Sequence, residues 1–122
     1  MSEAALRGTA RPTDLINRFY DEMFAGNFRY ALAAADPAYR SHTEACEVDP
    51  ESLLESCRRM IEPLAERRRE VLFEFNDGDL GVVVHRCAGR LPDGSMLNVR
   101  SADVYRVREG RLLEHWGILQ PE

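Results

Sequence analysis

The chain has 122 residues, 44% of them hydrophobic and 30% charged, with a formal net charge of -5. This describes one globular domain with a single core, argues against nucleic acid as a partner, and contains no apolar run near the roughly 18 to 20 residues that span a bilayer. All sixteen basic residues are arginine, so lysine-dependent Schiff-base and pyridoxal chemistry is excluded.

The N-terminal MSEAALRGTARP lacks the apolar segment of a signal peptide, and the three cysteines, Cys46, Cys57 and Cys87, include no C-x-x-C pair. A reducing, cytoplasmic setting is therefore expected, and the arginine bias suggests a bacterial source. Residues 1–122 read as one domain whose first dozen residues fray. Thr13 is then placed to cap a helix with Leu15, Ile16, Phe19, Tyr20, Met23 and Phe24 at helical spacing. Ala25-Gly26-Asn27 breaks it, and Asn27 is expected to cap a short second helix through Phe28, Leu32 and Ala35 that Asp36-Pro37 ends. AYRSHT, Ala38 to Thr43, reads as extended.

Asp49-Pro50 predicts the start of a third helix with Leu53, Leu54, Cys57, Met60, Ile61 and Leu64 on one face. Pro63 predicts a kink or a new short helix, and Arg67-Arg68-Arg69 reads as a solvated run compatible with a helix C-terminus. Glu70 to Asn76 and Leu80 to Ala88 then alternate as strands joined at Asp77-Gly78-Asp79. After the turn at Pro92 to Ser95 comes the hairpin on which the functional reading rests. On its first strand Leu97, Val99, Ser101, Asp103, Tyr105 and Val107 share a face; Arg108-Glu109-Gly110 turns the chain; Leu113, His115, Gly117 and Leu119 share a face on the second. An acid and an imidazole thus fall on adjacent strands. Helices followed by successive antiparallel strands predict an α+β fold with a concave pocket between sheet and helices.

With that order in place, DVYRVREGRLLEHWGILQP resembles the C-terminal signature of the nuclear transport factor 2-like superfamily, in its SnoaL-like polyketide cyclase branch. AGNF at Ala25 to Phe28, ADPAYRSH at Ala35 to His42 and DGDLGVVVH at Asp77 to His85 extend the likeness over nearly the whole chain. The resemblance implies a cone-shaped α+β barrel: N-terminal helices packed on a strongly curved, mainly antiparallel sheet around an internal pocket. It also implies pairing into a homodimer through the outer face of the sheet. Similarity to ketosteroid isomerases places His42 where the base stands and Asp103 where the acid stands, with Phe19 in the place of their tyrosine; Tyr20 lies about 100° further round the helix. SnoaL-like cyclases read EHWD where this chain has Glu114-His115-Trp116-Gly117, so the terminal acid is missing, and Thr43 stands where asparagine is common.

The resemblance directs His42, His85 and His115 toward the pocket, and with Asp103 these are the candidate catalytic residues. Asp103 either orients a histidine or, desolvated, donates a hydrogen bond to substrate. Phe19, Tyr20, Phe24, Met60, Tyr105 and Leu119 are the candidate substrate-binding wall, and Trp116, of opposite parity, belongs to the outer face. No cofactor and no metal is expected, because no pair of ligand residues has metal-binding spacing. The reading is a cofactor-independent isomerase or cyclase-like lyase acting by proton transfer on a small apolar carbonyl compound. The alternative is a noncatalytic ligand-binding or dimeric assembly module of the same fold. Arg100, three residues from Asp103, faces away from it, which disfavours an epoxide hydrolase with an Asp-Arg-Asp set.

Overall fold

The computed structural model describes residues 10–43 and 47–121. In chain order the elements are α1 (Pro12–Phe24), α2 (Tyr30–Ala34), β1 (Ala35–Ser41), α3 (Pro50–Ile61), β2 (Ala65–Asp77), β3 (Leu80–Arg90), β4 (Met96–Arg108) and β5 (Arg111–Pro121). The strands form one open five-stranded sheet in the order β1-β5-β4-β3-β2. Its neighbours are antiparallel except β1, which runs parallel to β5. Among the described residues no helix is long and apolar enough to cross a membrane.

Helix α1 lies on the inner face of β2 and β3. Ile16, Phe19 and Met23, spaced along one helical stripe, are fully buried there, and each contributes roughly 1.5–3 kcal/mol by leaving water. The close approach depends on Gly81: a Cβ at this position would come within 2.8 Å of both Ile16 and Pro12. Thr13 is not the cap expected of it. Pro12 already occupies the first turn, and Thr13 is buried against β2, its N–H donating to Asn76 Oδ1 at 3.0 Å and its hydroxyl accepting from Asn76 Nδ2 at 2.9 Å. The second helix is also shorter than expected: Asn27 and Phe28 form a turn whose carbonyls accept from Tyr30 and Ala31, and Ala35 already belongs to β1.

Asp49 does cap α3: its Oδ1 accepts from the Ser52 N–H at 2.8 Å while Ser52 Oγ accepts from the Asp49 N–H at 3.1 Å. The helix ends at Ile61, before Pro63, so neither a kink nor a further helix forms, and the chain enters β2 at Ala65. The arginine run consequently lies on a strand. Arg67 reaches inward, donating to the carbonyls of Phe24 at 3.0 Å and Ile61 at 3.1 Å, the last residues of α1 and α3. Arg69 reaches the candidate site.

Two bulges set which side chains face inward. On β2 the register passes from Val71 opposite His85 to Phe73 opposite Val84, leaving Leu72 as the extra residue. Arg67 and Arg69 therefore point in, while Phe73 and Phe75 are exposed. On β5 the register passes from Glu114 opposite Arg106 to Leu112 opposite Val107, leaving Leu113 extra. The buried core residue is therefore Leu112, not Leu113; beyond the bulge His115 and Gly117 keep the inward parity read from the sequence.

Candidate active site

Between α1, α3 and the inner face of the sheet lies a cavity of about 540 Å³. Its polar end is built by cross-strand register. Asp103 on β4 sits opposite Val83 on β3 and Gly117 on β5, while its strand neighbours of the same parity, Ser101 and Tyr105, sit opposite His85 and His115 respectively. Two imidazoles thereby flank one carboxylate.

His85 Nε2 lies 2.7 Å from Asp103 Oδ2, His115 Nε2 lies 2.6 Å from Oδ1, and the Ser101 hydroxyl donates to Oδ2 at 2.6 Å. His85 is 1% exposed and Asp103 4%. Burial opposes the charge on Asp103, but the hydrogen bonds from His115 and His85, the charge of His115 and the Ser101 hydroxyl outweigh it and hold the carboxyl well below the usual carboxylate range. Of the two roles read for Asp103 in the sequence, these three contacts suit the anion that orients histidines.

The proton positions follow from partners. Arg69 NH1 stands 3.0 Å from His85 Nδ1, and a guanidinium can only donate. Nδ1 must therefore be the bare nitrogen, the ring proton sits on Nε2, and His85 is a neutral donor to Asp103. Arg69 is itself anchored by Asn17 Oδ1 at 3.1 Å and Asp21 Oδ1 at 3.0 Å, and lies over the Tyr20 ring. His115 has no such lock: its Nδ1 faces the Ser41 hydroxyl at 3.2 Å, a group that can donate or accept. The imidazole of His115 stacks on Tyr105 at 4.3 Å between ring centres. With its Nε2 held by Asp103, its Nδ1 meets a hydroxyl and not a cation.

Against these two imidazoles pack Tyr20 and Tyr105, whose hydroxyls are 2.8 Å apart. Burial pushes both phenols well above their ordinary pKa, each raised further by nearby negative charge. Both remain O–H donors, and since only one proton is used between them, the other can be offered to a ligand oxygen.

A SnoaL-like domain model matches residues 16–115, most of the chain. The chain belongs to the SnoaL-like domain family. No curated protein matches it. Among solved structures, wild-type IdmH from Streptomyces antibioticus, a candidate polyketide cyclase, superposes with a TM-score of 0.78 at 21% identity, covering 91% of this chain and 93% of that one. A candidate SnoaL-like cyclase from Jannaschia sp. CCS1 gives 0.77 at 18% identity, covering 89% and 85%. A protein of ketosteroid isomerase-like fold from Catenulispora acidiphila gives 0.76 at 11%, covering 89% and 86%. At these identities the likeness is one of fold, and it places this SnoaL-like domain among nuclear transport factor 2-like cones.

Of the expected catalytic residues, His85, Asp103 and His115 converge and His42 does not. Ser41, not His42, faces the site, because β1 pairs in parallel with β5 so that Ser41 lies opposite His115. His42 points to the other side, its side chain 40% exposed, bonded to Glu114 Oε2 at 3.0 Å and stacked on Trp116 at 5.0 Å. Trp116 is thus on the outer face, as its parity predicts. Tyr20, Phe24, Met60, Tyr105 and Leu119 line the cavity, whereas Phe19 is buried core beneath it. The tyrosine one position along takes the wall.

Around the cavity stand further residues that the sequence did not single out as site candidates. Arg69 was hidden in an arginine run assigned to a helix end. Ser101 shared the parity of Asp103, a signal available but not drawn upon. Glu47, buried in the cavity wall, carries no pattern at all. Gly117 has a positive role: a Cβ there would lie 2.8 Å from Asp103 Oδ1 and 2.9 Å from His115 Nε2, on top of their hydrogen bond. Among the described residues no cluster of histidine, cysteine or acidic side chains is arranged to hold a metal; the two imidazoles converge on a carboxylate.

Proposed function

We propose that this SnoaL-like domain is a cofactor-independent acid/base enzyme, an isomerase or cyclase-like lyase that moves a proton on a small apolar carbonyl compound. The observation that carries this reading is the buried Asp103–His115 pair at 2.6 Å on the wall of a largely apolar cavity. His115 Nδ1 takes the proton beside the carbonyl; Asp103 stabilises the imidazolium that results; the spare Tyr20–Tyr105 hydroxyl proton is offered to the enolate oxygen. The proton then returns to carbon. His115 has the role that the sequence suggested for His42, and His85, fixed as a neutral donor, holds the carboxylate. Such a base contributes about 10²- to 10⁴-fold, and one donor to a developing oxyanion about 10²- to 10³-fold.

The test uses β-tetralone in D₂O, following exchange of its acidic C–H by proton NMR. Catalysed exchange is expected for the wild type, reduced at least about a hundredfold in His115→Gln and Asp103→Asn. Equal exchange in His115→Gln removes the base; no exchange by the wild type favours the noncatalytic binding module.

The same reading includes a homodimer through the outer face of the sheet. Register aligns Phe75, Val82, Val104 and Trp116 in one cross-strand row, and Phe73, Val84, Ala102 and Ile118 in the next, with Ile118 74% exposed. Contiguous apolar surface of this kind supports pairing. Sedimentation equilibrium should give a dimer that Phe73→Glu with Phe75→Glu converts to monomer; a monomeric wild type refutes it.

A further inference from the structure

The cavity wall carries a further polar side chain that the proton-transfer scheme does not use. Glu47 is 5% exposed and lines the cavity, and among the described residues its Oε2 has no hydrogen-bond donor. Its backbone is tied to β1, since the Ser41 N–H donates to the Glu47 carbonyl at 2.7 Å. A buried carboxylate oxygen without a donor is strongly unfavourable, and a ligand that brings a donor relieves it. Asp103 offers no comparable opening, because both of its oxygens are occupied by His85, Ser101 and His115.

The charge on the wall is one-sided. The chain carries sixteen arginines, yet among the described residues lining the cavity there is none, while two carboxylates, Glu47 and Asp103, are present. Arg69 donates to His85, Asn17 and Asp21 and is not part of the lining. A carboxylate, phosphate or sulfate group beside Glu47 would meet a second acid in a low-dielectric space, with no arginine among the described lining residues to pair it.

We propose that Glu47 is a specificity-determining acceptor, and that the cavity selects a neutral or cationic apolar ligand bearing a hydroxyl or amine group while rejecting anions. This rests on the reading of the cavity as a site for an apolar carbonyl compound and states what else that compound carries.

The test is calorimetric titration of the 122-residue chain with four probes of similar shape: naphthylmethanol, its methyl ether, naphthylmethylammonium and naphthoate. In the wild type the alcohol is expected to bind about tenfold tighter than the ether, which cannot donate, the ammonium tighter still, and naphthoate weakest. Glu47→Leu should abolish the preference of alcohol over ether. Glu47→Gln keeps an acceptor and should retain that preference while losing the extra affinity for the ammonium. If Glu47→Leu does not fold by circular dichroism, the glutamine variant decides through the ammonium alone. Naphthoate binding as tightly as the ammonium, ether matching alcohol, preferences that survive both Glu47 variants, or no binding of any probe would each overturn the proposal. Titration needs no turnover, so loss of β-tetralone exchange leaves this result standing, and intact exchange with indifferent binding refutes Glu47 alone.

Discussion

Replacing Gly117 by alanine tests whether the dyad depends on the space that glycine leaves. Gly117 lies in ordinary strand backbone opposite Asp103, so an added methyl acts through contacts. Its Cβ would stand 2.8 Å from Asp103 Oδ1, 2.9 Å from His115 Nε2 and 3.0 Å from His115 Cε1. None of these atoms is the loose end of a flexible chain, since the carboxylate is held by three donors and the imidazole is stacked on Tyr105. The methyl therefore parts the pair. Losing a charge-assisted bond in a buried site costs about 1.5–3 kcal/mol, and overpacking adds about 1–3 kcal/mol, so about 3 kcal/mol is expected. At roughly 2.1 cal/mol/K per residue this chain has an unfolding entropy near 0.26 kcal/mol/K, which converts the loss to a Tm lower by about 12 °C. Urea and thermal unfolding measure it, and a double-mutant cycle assigns it: in an Asp103→Ala background the methyl enters vacated space and should cost less than about 1 kcal/mol. A Gly117→Ala variant as stable as wild type, or one with the same cost in both backgrounds, would refute the reasoning.

Asp103→Asn should be less stable than wild type at neutral pH by about 2–4 kcal/mol, because Asn places a donor where two imidazoles and a hydroxyl need an acceptor. The folded carboxyl titrates below its unfolded value of about 3.9, so its contribution is fully present above that value and declines as pH falls below it; the gap between the variants should narrow in urea melts from pH 5 toward pH 2.5, and a constant gap would contradict the ionised assignment. Arg69→Met should release the His85 tautomer: nitrogen NMR of the wild type is expected to show the proton on Nε2 and a bare Nδ1, with Nδ1 protonation appearing in the variant. Burial first, then the charges of Glu47 and Asp103, push the Cys57 thiol up to about 12, and burial with Asp103 pushes Cys87 to about 11 against the opposing effect of Arg69. Both should therefore alkylate with iodoacetamide at pH 8 at least about a hundredfold more slowly folded than in urea, read site by site by mass spectrometry; equal rates would contradict their burial.

Much of this arrangement was present in the letters. The 3.6-residue spacing of Ile16, Phe19 and Met23, the Asp49-Pro50 start of α3 and the period-two alternation of β3 and β4 are local properties, and local sterics and capping suffice to produce them. Strand parity likewise put Ser101, Asp103 and Tyr105 on one face and His115 with Gly117 on the next. What parity could not supply was register and phase. The extra residue Leu72 turns Arg69 inward and Phe73 outward, and the parallel pairing of β1 with β5 presents Ser41 instead of His42 to the site. Both are decided by pairing between segments distant in the chain, for which no short stretch carries a signal. Gly117 shows the division most sharply: by sequence it is a missing acid, and only the cross-strand approach of Asp103 and His115 turns that absence into the space the pair occupies, because a contact 2.8 Å from a Cβ exists only after the strands have met.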